Sequence, residues 1–135
     1  MPTMIYPARY ENLSQVRDFV AELAKQAGFV DKVIYRVILA VDEAFTNIID
    51  HAYGGEGLGD IECTCQITEE GLTVRLRDQG NRFDPTLVPE PEIKKSLHEV
   101  SPRGVGLFLM RQIMDEVSYE FTDKGNELTM VKRFD

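Results

Sequence analysis

Three short polar segments of the chain could carry chemistry, and the first is Asp78-Gln79-Gly80. It lies where a β-branched, apolar stretch ends and a proline-rich stretch begins. A carboxylate at such a place can accept a hydrogen bond from an exocyclic amine, and the glycine lets a flat ring approach the backbone. The alternative is that Asp78 caps a turn and Gly80 forms part of it. The pattern alone leaves both interpretations open.

The second segment is Arg103-Gly104-Val105-Gly106-Leu107, which opens a stretch with the apolar period of a helix. Small residues at a helix N-terminus leave backbone N–H groups accessible to an anion. The segment lacks the Gly-Lys-Ser/Thr ending of a P-loop, and it does not lie in the βαβ unit that a dinucleotide fingerprint requires. Alone it is a weak indication of a phosphate site.

The third segment lies on a predicted helix, where Glu43, Asn47 and His51 are spaced four residues apart. At about 100° per residue, the three side chains share one side of the helix. Val41 and Phe45 belong to an apolar stripe on the opposite side. Any surface helix also has polar residues opposite its apolar stripe. The spacing therefore does not by itself separate a functional face from a solvated one.

Hydrophobic periodicity predicts the elements that position these segments. Asn12 and Gln15 have the spacing of a capping box, and Gly28 follows the last apolar residue of the same helix. The predicted strands are residues 3–8, 61–68, 72–77, 117–122 and 127–134, and the predicted helices are residues 12–27, 31–52 and 104–114. This order predicts an α+β fold, a two-layer sandwich in which a mixed, mostly antiparallel sheet carries helices on one face.

One long stretch, residues 84–103, interrupts this order. It contains prolines at positions 85, 89, 91 and 102 and has no sustained apolar period. Loops of this length in compact domains usually have a function, often as a lid. We therefore expect a single domain of residues 1–135 with a lid over about residues 84–103.

Composition excludes several classes of protein. The 135 residues carry a net charge of −8, whereas nucleic-acid binding depends on clustered Lys and Arg. No apolar run approaches the roughly 18 residues of a membrane span, and the N-terminus lacks a signal-peptide pattern. The two cysteines, Cys63 and Cys65, have no second pair to complete a zinc site. We expect a soluble, cytoplasmic protein with reduced thiols and with neither a nucleic-acid nor a membrane partner.

Together and in this order, the three segments resemble the motifs of Bergerat-fold ATPases, the superfamily of gyrase and histidine-kinase ATP-binding domains. Residues 43–53 (EAFTNIIDHAY) resemble the N-box of this superfamily. Residues 78–85 (DQGNRFDP) resemble its first glycine box, and residues 103–107 (RGVGL) resemble its second. Within the superfamily, the Glu four residues before the Asn, the Phe-Asp-Pro and the late Gly-Asn-Glu-Leu-Thr-Met are similar to the anti-sigma-factor serine kinases. The resemblance covers nearly the whole chain. One departure is Arg82, which stands where the first box often has a second glycine.

The resemblance implies roles for the residues of the first two motifs. Asn47 would hold Mg²⁺ through its side-chain oxygen, and Asp78, next to Gly80, would accept the adenine amine. Glu43, one helical turn before Asn47, would lie near the γ-phosphate and accept the proton of an attacking hydroxyl. His51 would line the phosphate side, although a His near a helix end can equally be a C-terminal cap.

The resemblance also assigns residues later in the chain. Arg103 would contact the β- or γ-phosphate, unless it is simply solvated, and Gly104, Gly106 and Leu107 would form the second glycine box. Thr129 would supply a hydroxyl beneath the adenine, although a Thr at this position can also be an ordinary strand residue.

The function implied is that of an ATP-dependent serine/threonine protein kinase. Its substrate would be a small anti-sigma-factor antagonist domain, it could also sequester a sigma factor, and the family suggests a homodimer. One alternative is a non-catalytic, nucleotide-gated partner switch. Another is the detached ATPase domain of a histidine kinase, which the absence of a second helical hairpin disfavours.

Overall fold

One five-stranded sheet organises the computed structural model, which describes residues 1–83 and 110–134. Its strands are β1 (Thr3–Pro7), β2 (Asp60–Ile67), β3 (Gly71–Asp78), β4 (Glu116–Thr122) and β5 (Gly125–Arg133). Their order is β1-β2-β3-β5-β4, so β1 and β4 lie at the edges. These elements confirm the predicted strands to within two residues at each end.

Every strand pairing in the described part of the chain is antiparallel, in agreement with a mostly antiparallel sheet, and the parallel pairing that a mixed sheet would add does not occur among these residues. Short turns join β2 to β3 and β4 to β5, and such hairpins are necessarily antiparallel. Two helices rather than one connect β1 to β2, and because a short link between them favours an antiparallel helix pair, the chain re-enters the sheet in the opposite direction. The α+β class itself is confirmed.

The helices between β1 and β2 are α1 (Leu13–Ala27) and α2 (Asp31–Asn47). Helix α1 ends at Gly28, as predicted, with the glycine in the left-handed conformation at φ 100°. Helix α2 continues as a π-helical turn, Ile48–Tyr53, which the apolar period alone could not distinguish from α-helix.

The predicted capping of α1 by Asn12 is wrong. Asn12 makes no side-chain cap, and its Nδ2 atom instead donates a hydrogen bond to the Pro7 carbonyl at 2.7 Å. A 3₁₀ turn, Tyr10–Asn12, precedes the helix and holds Asn12 at φ −88° and ψ −3°. A capping residue normally has an extended conformation, so the side chain of Asn12 is not placed to reach the helix N–H groups.

The two faces of the sheet differ in chemistry. Leu72, Val74 and Leu76 of β3 are fully buried, as expected for the face that the helices cover. Arg77 lies on the other face and pairs with Glu127 at 2.6 Å and with Glu62 at 3.3 Å. Alternate residues of β5 follow the same rule, with Leu128 and Met130 buried and Glu127 and Thr129 on the uncovered face.

Two further predictions concern cysteines and membrane helices. Cys63 and Cys65 are free, buried thiols on β2, and the hydrogen bond with Cys65 together with burial raises the pKa of the Cys63 thiol. Within residues 1–83 and 110–134, no helix has both the length and the apolar character needed to cross a membrane.

The predicted lid, residues 84–103, and the second glycine box, residues 103–107, lie outside the described residues. The chain is described again from Met110, and residues 110–113 are helical, in agreement with the last turn of the predicted third helix. Met110 and Met114 are both buried in the core.

Candidate functional site

Asp78 ends β3 as a buried carboxyl group, with only 2% of its surface exposed. Its Oδ1 atom accepts a hydrogen bond from the Gly80 N–H at 2.8 Å and from Asn126 Nδ2 at 2.9 Å. Burial raises the pKa of Asp78, while the hydrogen bonds from Asn126 and Gly80 act in the opposite direction. Asp78 therefore stabilises a turn, as the alternative interpretation of this segment predicts. Its carboxyl group is also buried in the interior.

Gly80 brings the segment after β3 against the end of the π turn. A Cβ atom at Gly80 would lie 2.6 Å from the carbonyl carbon and oxygen of Ala52, and the Asn81 N–H donates to the same carbonyl at 2.7 Å. The glycine is thus required by an approach of two protein backbones. This close approach fixes the distance between the first glycine box and the N-box.

Asn47, the last residue of α2, is 2% exposed. Neither its Oδ1 nor its Nδ2 atom has a hydrogen-bond partner among residues 1–83 and 110–134. Buried side-chain amides are almost always hydrogen-bonded, and leaving one unsatisfied costs about 1–3 kcal/mol. The interpretation of this face as an ordinary solvated one is therefore wrong at Asn47, and the unsatisfied amide indicates a place for a ligand.

A small cavity joins Asn47 to Asp78. Its volume is about 10 Å³, roughly the space of one water molecule. Among the described residues, the lining also includes three residues of the N-box helix, two of the sheet and one of the segment after Gly80: Ala44, Ile48, Ala52, Leu128, Tyr119 and Phe83. A purine ring is far larger, so it can enter only if part of this lining moves.

Residues 81–83, which follow Gly80, bring Phe83 to the cavity. The Phe83 ring stacks on His51 with a centroid distance of 4.6 Å and an interplanar angle of 22°, and the Phe83 N–H donates to the Tyr119 hydroxyl at 3.2 Å. Arg82, the departure from the first glycine box, lies over the Phe121 ring at 4.6 Å. Phe83 is therefore held at the cavity by His51 and Tyr119.

The remaining N-box residues lie beside this cavity. Glu43 is half-buried one helical turn before Asn47, and His51 is exposed near the end of the π turn. Within the described part of the chain, neither one lines the cavity itself. Glu43 and His51 thus lie on the two sides of Asn47 along the helix.

Thr129 is not brought to this site, which corrects the expectation that it lies beneath the adenine. It lies on the uncovered face of the sheet, and its Oγ1 atom accepts a hydrogen bond from Arg75 Nε at 3.4 Å. The cause is the two-residue period of β5, which directs Thr129 away from Leu128 and Met130.

Asn126 takes part in the site although the predicted strands, residues 117–122 and 127–134, left it in the connection between them. It is 4% exposed and lies directly opposite Asp78 in the ladder of β3 and β5. The alternation of Asn126 with Leu128 and Met130 was the available signal, because it places all three on the covered face. Four other assigned residues, Arg103, Gly104, Gly106 and Leu107, lie outside the described residues.

Comparisons with known proteins identify the family to which the chain belongs. A family model described as a histidine kinase-like ATPase domain matches residues 6–132. A solved histidine kinase domain, from the blue-light activated histidine kinase of Erythrobacter litoralis EL346, superposes with a TM-score of 0.50 at 15% identity, over 92% of this chain and 59% of that one. The latter likeness concerns the fold alone. The chain belongs to the histidine kinase-like ATPase family.

Curated relatives narrow the class further. Serine-protein kinase RsbW of Listeria innocua is 34% identical over 134 residues, covering 96% of this chain and 85% of its own length. RsbW of Halalkalibacterium halodurans is 33% identical over 96% of this chain and 80% of its own length. Serine/threonine-protein kinase BtrW of Bordetella bronchiseptica is 34% identical over 71% of this chain and 68% of its own length. Within its family, the chain is of the serine/threonine-protein kinase type.

Proposed function

We propose that this chain uses ATP to phosphorylate a serine or threonine of a small anti-sigma-factor antagonist domain in a partner-switching pathway. The observation that carries the proposal is that two buried polar side chains, Asn47 and Asp78, line the same cavity. Asp78 suits the base of a nucleotide, and Asn47 suits the metal ion at its phosphates. The relatives are named as serine or serine/threonine protein kinases, which supports a protein hydroxyl as the acceptor of the phosphoryl group.

Asp78 is the proposed acceptor for the adenine amine. Its carboxylate is held by the turn at Gly80 and lines the cavity. The base would enter by displacing Phe83, whose ring now fills the space in front of Asp78 and stacks on His51. A carboxylate in this place favours a base that presents a donor and disfavours one that presents a carbonyl oxygen.

Asn47 is the proposed protein ligand for Mg²⁺. The amide oxygen is a hard donor, it is buried, and it has no partner among the described residues, so this residue fits such an ion. Mg²⁺ in nucleotide sites is usually held by one or two protein oxygens, with phosphate oxygens and water completing the shell. The bound ion would neutralise negative charge on the phosphates.

Glu43 is the proposed general base. It lies one helical turn from Asn47 and is half-buried, so its carboxylate can approach the phosphate end of the site. Glu43 would accept the proton of the attacking hydroxyl as the new oxygen–phosphorus bond forms and the bond to the ADP oxygen breaks. For the phosphates themselves we propose His51, Arg103, Gly104, Gly106 and Leu107.

Further parts of the proposal concern partners and location. A homodimer could form through the free edge of β1, where Met4 and Ile5 are 46% and 61% exposed. A sigma factor is proposed as a second protein ligand. The cytoplasm is the proposed location, because ATP and both kinds of partner are found there.

The test is a transfer assay with the purified chain, Mg²⁺, ATP labelled in its γ-phosphate, and candidate antagonist domains. The proposal expects acid-stable label on a serine or threonine of the small partner, located by mass spectrometry. Nucleotide-dependent binding of the partner without any label would instead support a non-catalytic switch. Acid-labile label on a histidine would support a histidine kinase.

A further inference from the structure

Asn126 has an unusual set of contacts for a residue beside a hairpin turn. Its Nδ2 atom lies 2.9 Å from Asp78 Oδ1, 3.0 Å from the Gly80 carbonyl oxygen and 3.1 Å from the Asn81 carbonyl oxygen. All three neighbours are acceptors, so this end of the amide must be the NH₂ group, because an oxygen here would face three oxygens. The contacts therefore determine the orientation of the amide.

The sheet register places Asn126 for these contacts. Asn126 pairs with Asp78 in the ladder of β3 and β5, and both side chains lie on the covered face. The preceding Gly125 has φ 119°, and a Cβ atom there would lie 2.3 Å from the Asp78 carbonyl oxygen. The glycine thus lets the hairpin approach Asp78 closely enough for the short Asn126 side chain to reach its carboxyl group.

The two carboxyl oxygens of Asp78 differ in their hydrogen bonds. Oδ1 accepts from both Asn126 and the Gly80 N–H, whereas Oδ2 has no hydrogen bond to any residue in the described ranges. Resting on the function proposed above, we infer that Asn126 is a specificity-determining positioning residue, which holds Asp78 so that Oδ2 receives the amine of the purine base. Without Asn126, the carboxyl group can rotate about its Cβ–Cγ bond and present either oxygen or neither.

The same amide also holds the two residues that follow Gln79. By donating to the carbonyls of Gly80 and Asn81, Asn126 ties the residues just before Phe83 to β5. Base recognition by Asp78 and the position of Phe83 therefore both depend on the side chain of Asn126. An apolar side chain at position 126 would remove the hydrogen bonds to Asp78 and to the carbonyls of Gly80 and Asn81.

The experiment compares ATP with purine riboside triphosphate, which lacks the exocyclic amine, by calorimetric titration of the full chain with Mg²⁺. Asn126→Leu keeps the approximate size and removes the donors. We expect its preference for ATP over the analogue to fall about tenfold or more, as for the loss of a well-oriented bond to a charged group. Affinity for the analogue should change much less. A purely structural role would weaken both nucleotides equally and leave the ratio unchanged.

Three further variants make the result decisive. Asn126→Ser keeps one donor and should give an intermediate ratio, which also provides a measurement if the leucine variant does not fold. Ser118→Ala, an exposed change on β4, and Val20→Ala, a core change in α1 that lowers stability, should both keep the wild-type ratio. An unchanged ratio in a folded Asn126 variant overturns the inference. Failure of the wild-type chain to bind ATP would instead overturn the proposed function.

Discussion

The backbones of Gly80 and Ala52 approach so closely that a Cβ atom at Gly80 would lie 2.6 Å from the Ala52 carbonyl oxygen. This contact joins the first glycine box to the N-box helix, and the Asn81 N–H reinforces it by donating to the same carbonyl at 2.7 Å. The relative position of Asp78 and Asn47 therefore depends on a backbone contact that only glycine permits.

Gly80→Ala should lower both the stability of the chain and its affinity for ATP. Neither backbone can yield as a flexible side chain could, so we expect a loss of about 1–3 kcal/mol in the free energy of unfolding. Gly28→Ala is the matched control, because it meets no atom within 4 Å and is strained only by its φ of 100°. It should cost about 1 kcal/mol and leave ATP affinity unchanged. Urea unfolding and ATP titration measure both effects, and normal ATP binding by Gly80→Ala would contradict the role of this contact.

Asp78→Asn should separate stability from binding. Because burial raises the pKa of Asp78, its contribution to the free energy of unfolding is fully present below the unfolded-state pKa of about 3.9 and is lost as the pH rises through the native pKa. Above its native pKa the wild-type Asp78 carries a buried charge, whereas an amide oxygen at this position is neutral and could still accept from Gly80 and Asn126. We expect the variant to be at least as stable as wild type at pH 7, with this advantage disappearing below about pH 4.

The same variant should bind ATP poorly. Loss of a hydrogen bond to a charged group costs about 1.5–3 kcal/mol, or roughly 10- to 150-fold in affinity. The affinity for purine riboside triphosphate, which lacks the amine, should fall much less. Equal losses for the two nucleotides would remove Asp78 from base recognition, and a marked drop in stability at pH 7 would show that its hydrogen bonds outweigh the cost of burial.

Asn47→Leu tests the proposed metal ligand. The leucine side chain is close to asparagine in shape and removes a buried amide that has no partner among the described residues. We expect the free energy of unfolding to rise by about 1–3 kcal/mol. We also expect Mg²⁺ to strengthen ATP binding to the wild-type chain but not to the variant, in titrations with and without EDTA. A variant that keeps the full effect of Mg²⁺ would exclude Asn47 as a ligand.

Phe83→Ala should strengthen ATP binding and speed association in stopped-flow measurements. The wild-type cavity holds only about 10 Å³, so a purine must break the stacking of Phe83 on His51 before it reaches Asp78. Tyr119→Phe removes the acceptor of the Phe83 N–H and should act in the same direction to a smaller extent. Weaker binding by Phe83→Ala would mean that the ring is a wall of the bound site and is not displaced.

Local patterns in the sequence predicted the elements of the described residues, because each of these predictions depended on neighbours along the chain. The period of α2 and the position of Gly28 are examples. The burial of Asn47 was not predictable in this way, since it depends on Phe83 and Tyr119, which cover that end of the helix from distant parts of the chain. Alternation along β5 separates the face of Asn126 from that of Thr129, but only the long-range pairing of β3 with β5 places Asn126 directly opposite Asp78.

Glu43→Gln distinguishes a kinase from a non-catalytic switch. A carboxylate near the γ-phosphate disfavours ATP binding, because it adds negative charge beside a polyanion, so its proposed value lies in accepting a proton during transfer. Glutamine keeps the shape and cannot act as a base at neutral pH. We expect phosphotransfer to the antagonist domain to fall by roughly 10²- to 10⁴-fold, while ATP affinity holds or rises.

The control is Glu22→Gln on α1, the same chemical change at an exposed position, which should affect neither quantity. Single-turnover transfer rates and ATP titrations provide the two measurements. Wild-type transfer by a Glu43→Gln chain that binds ATP normally would show that Glu43 is not the base.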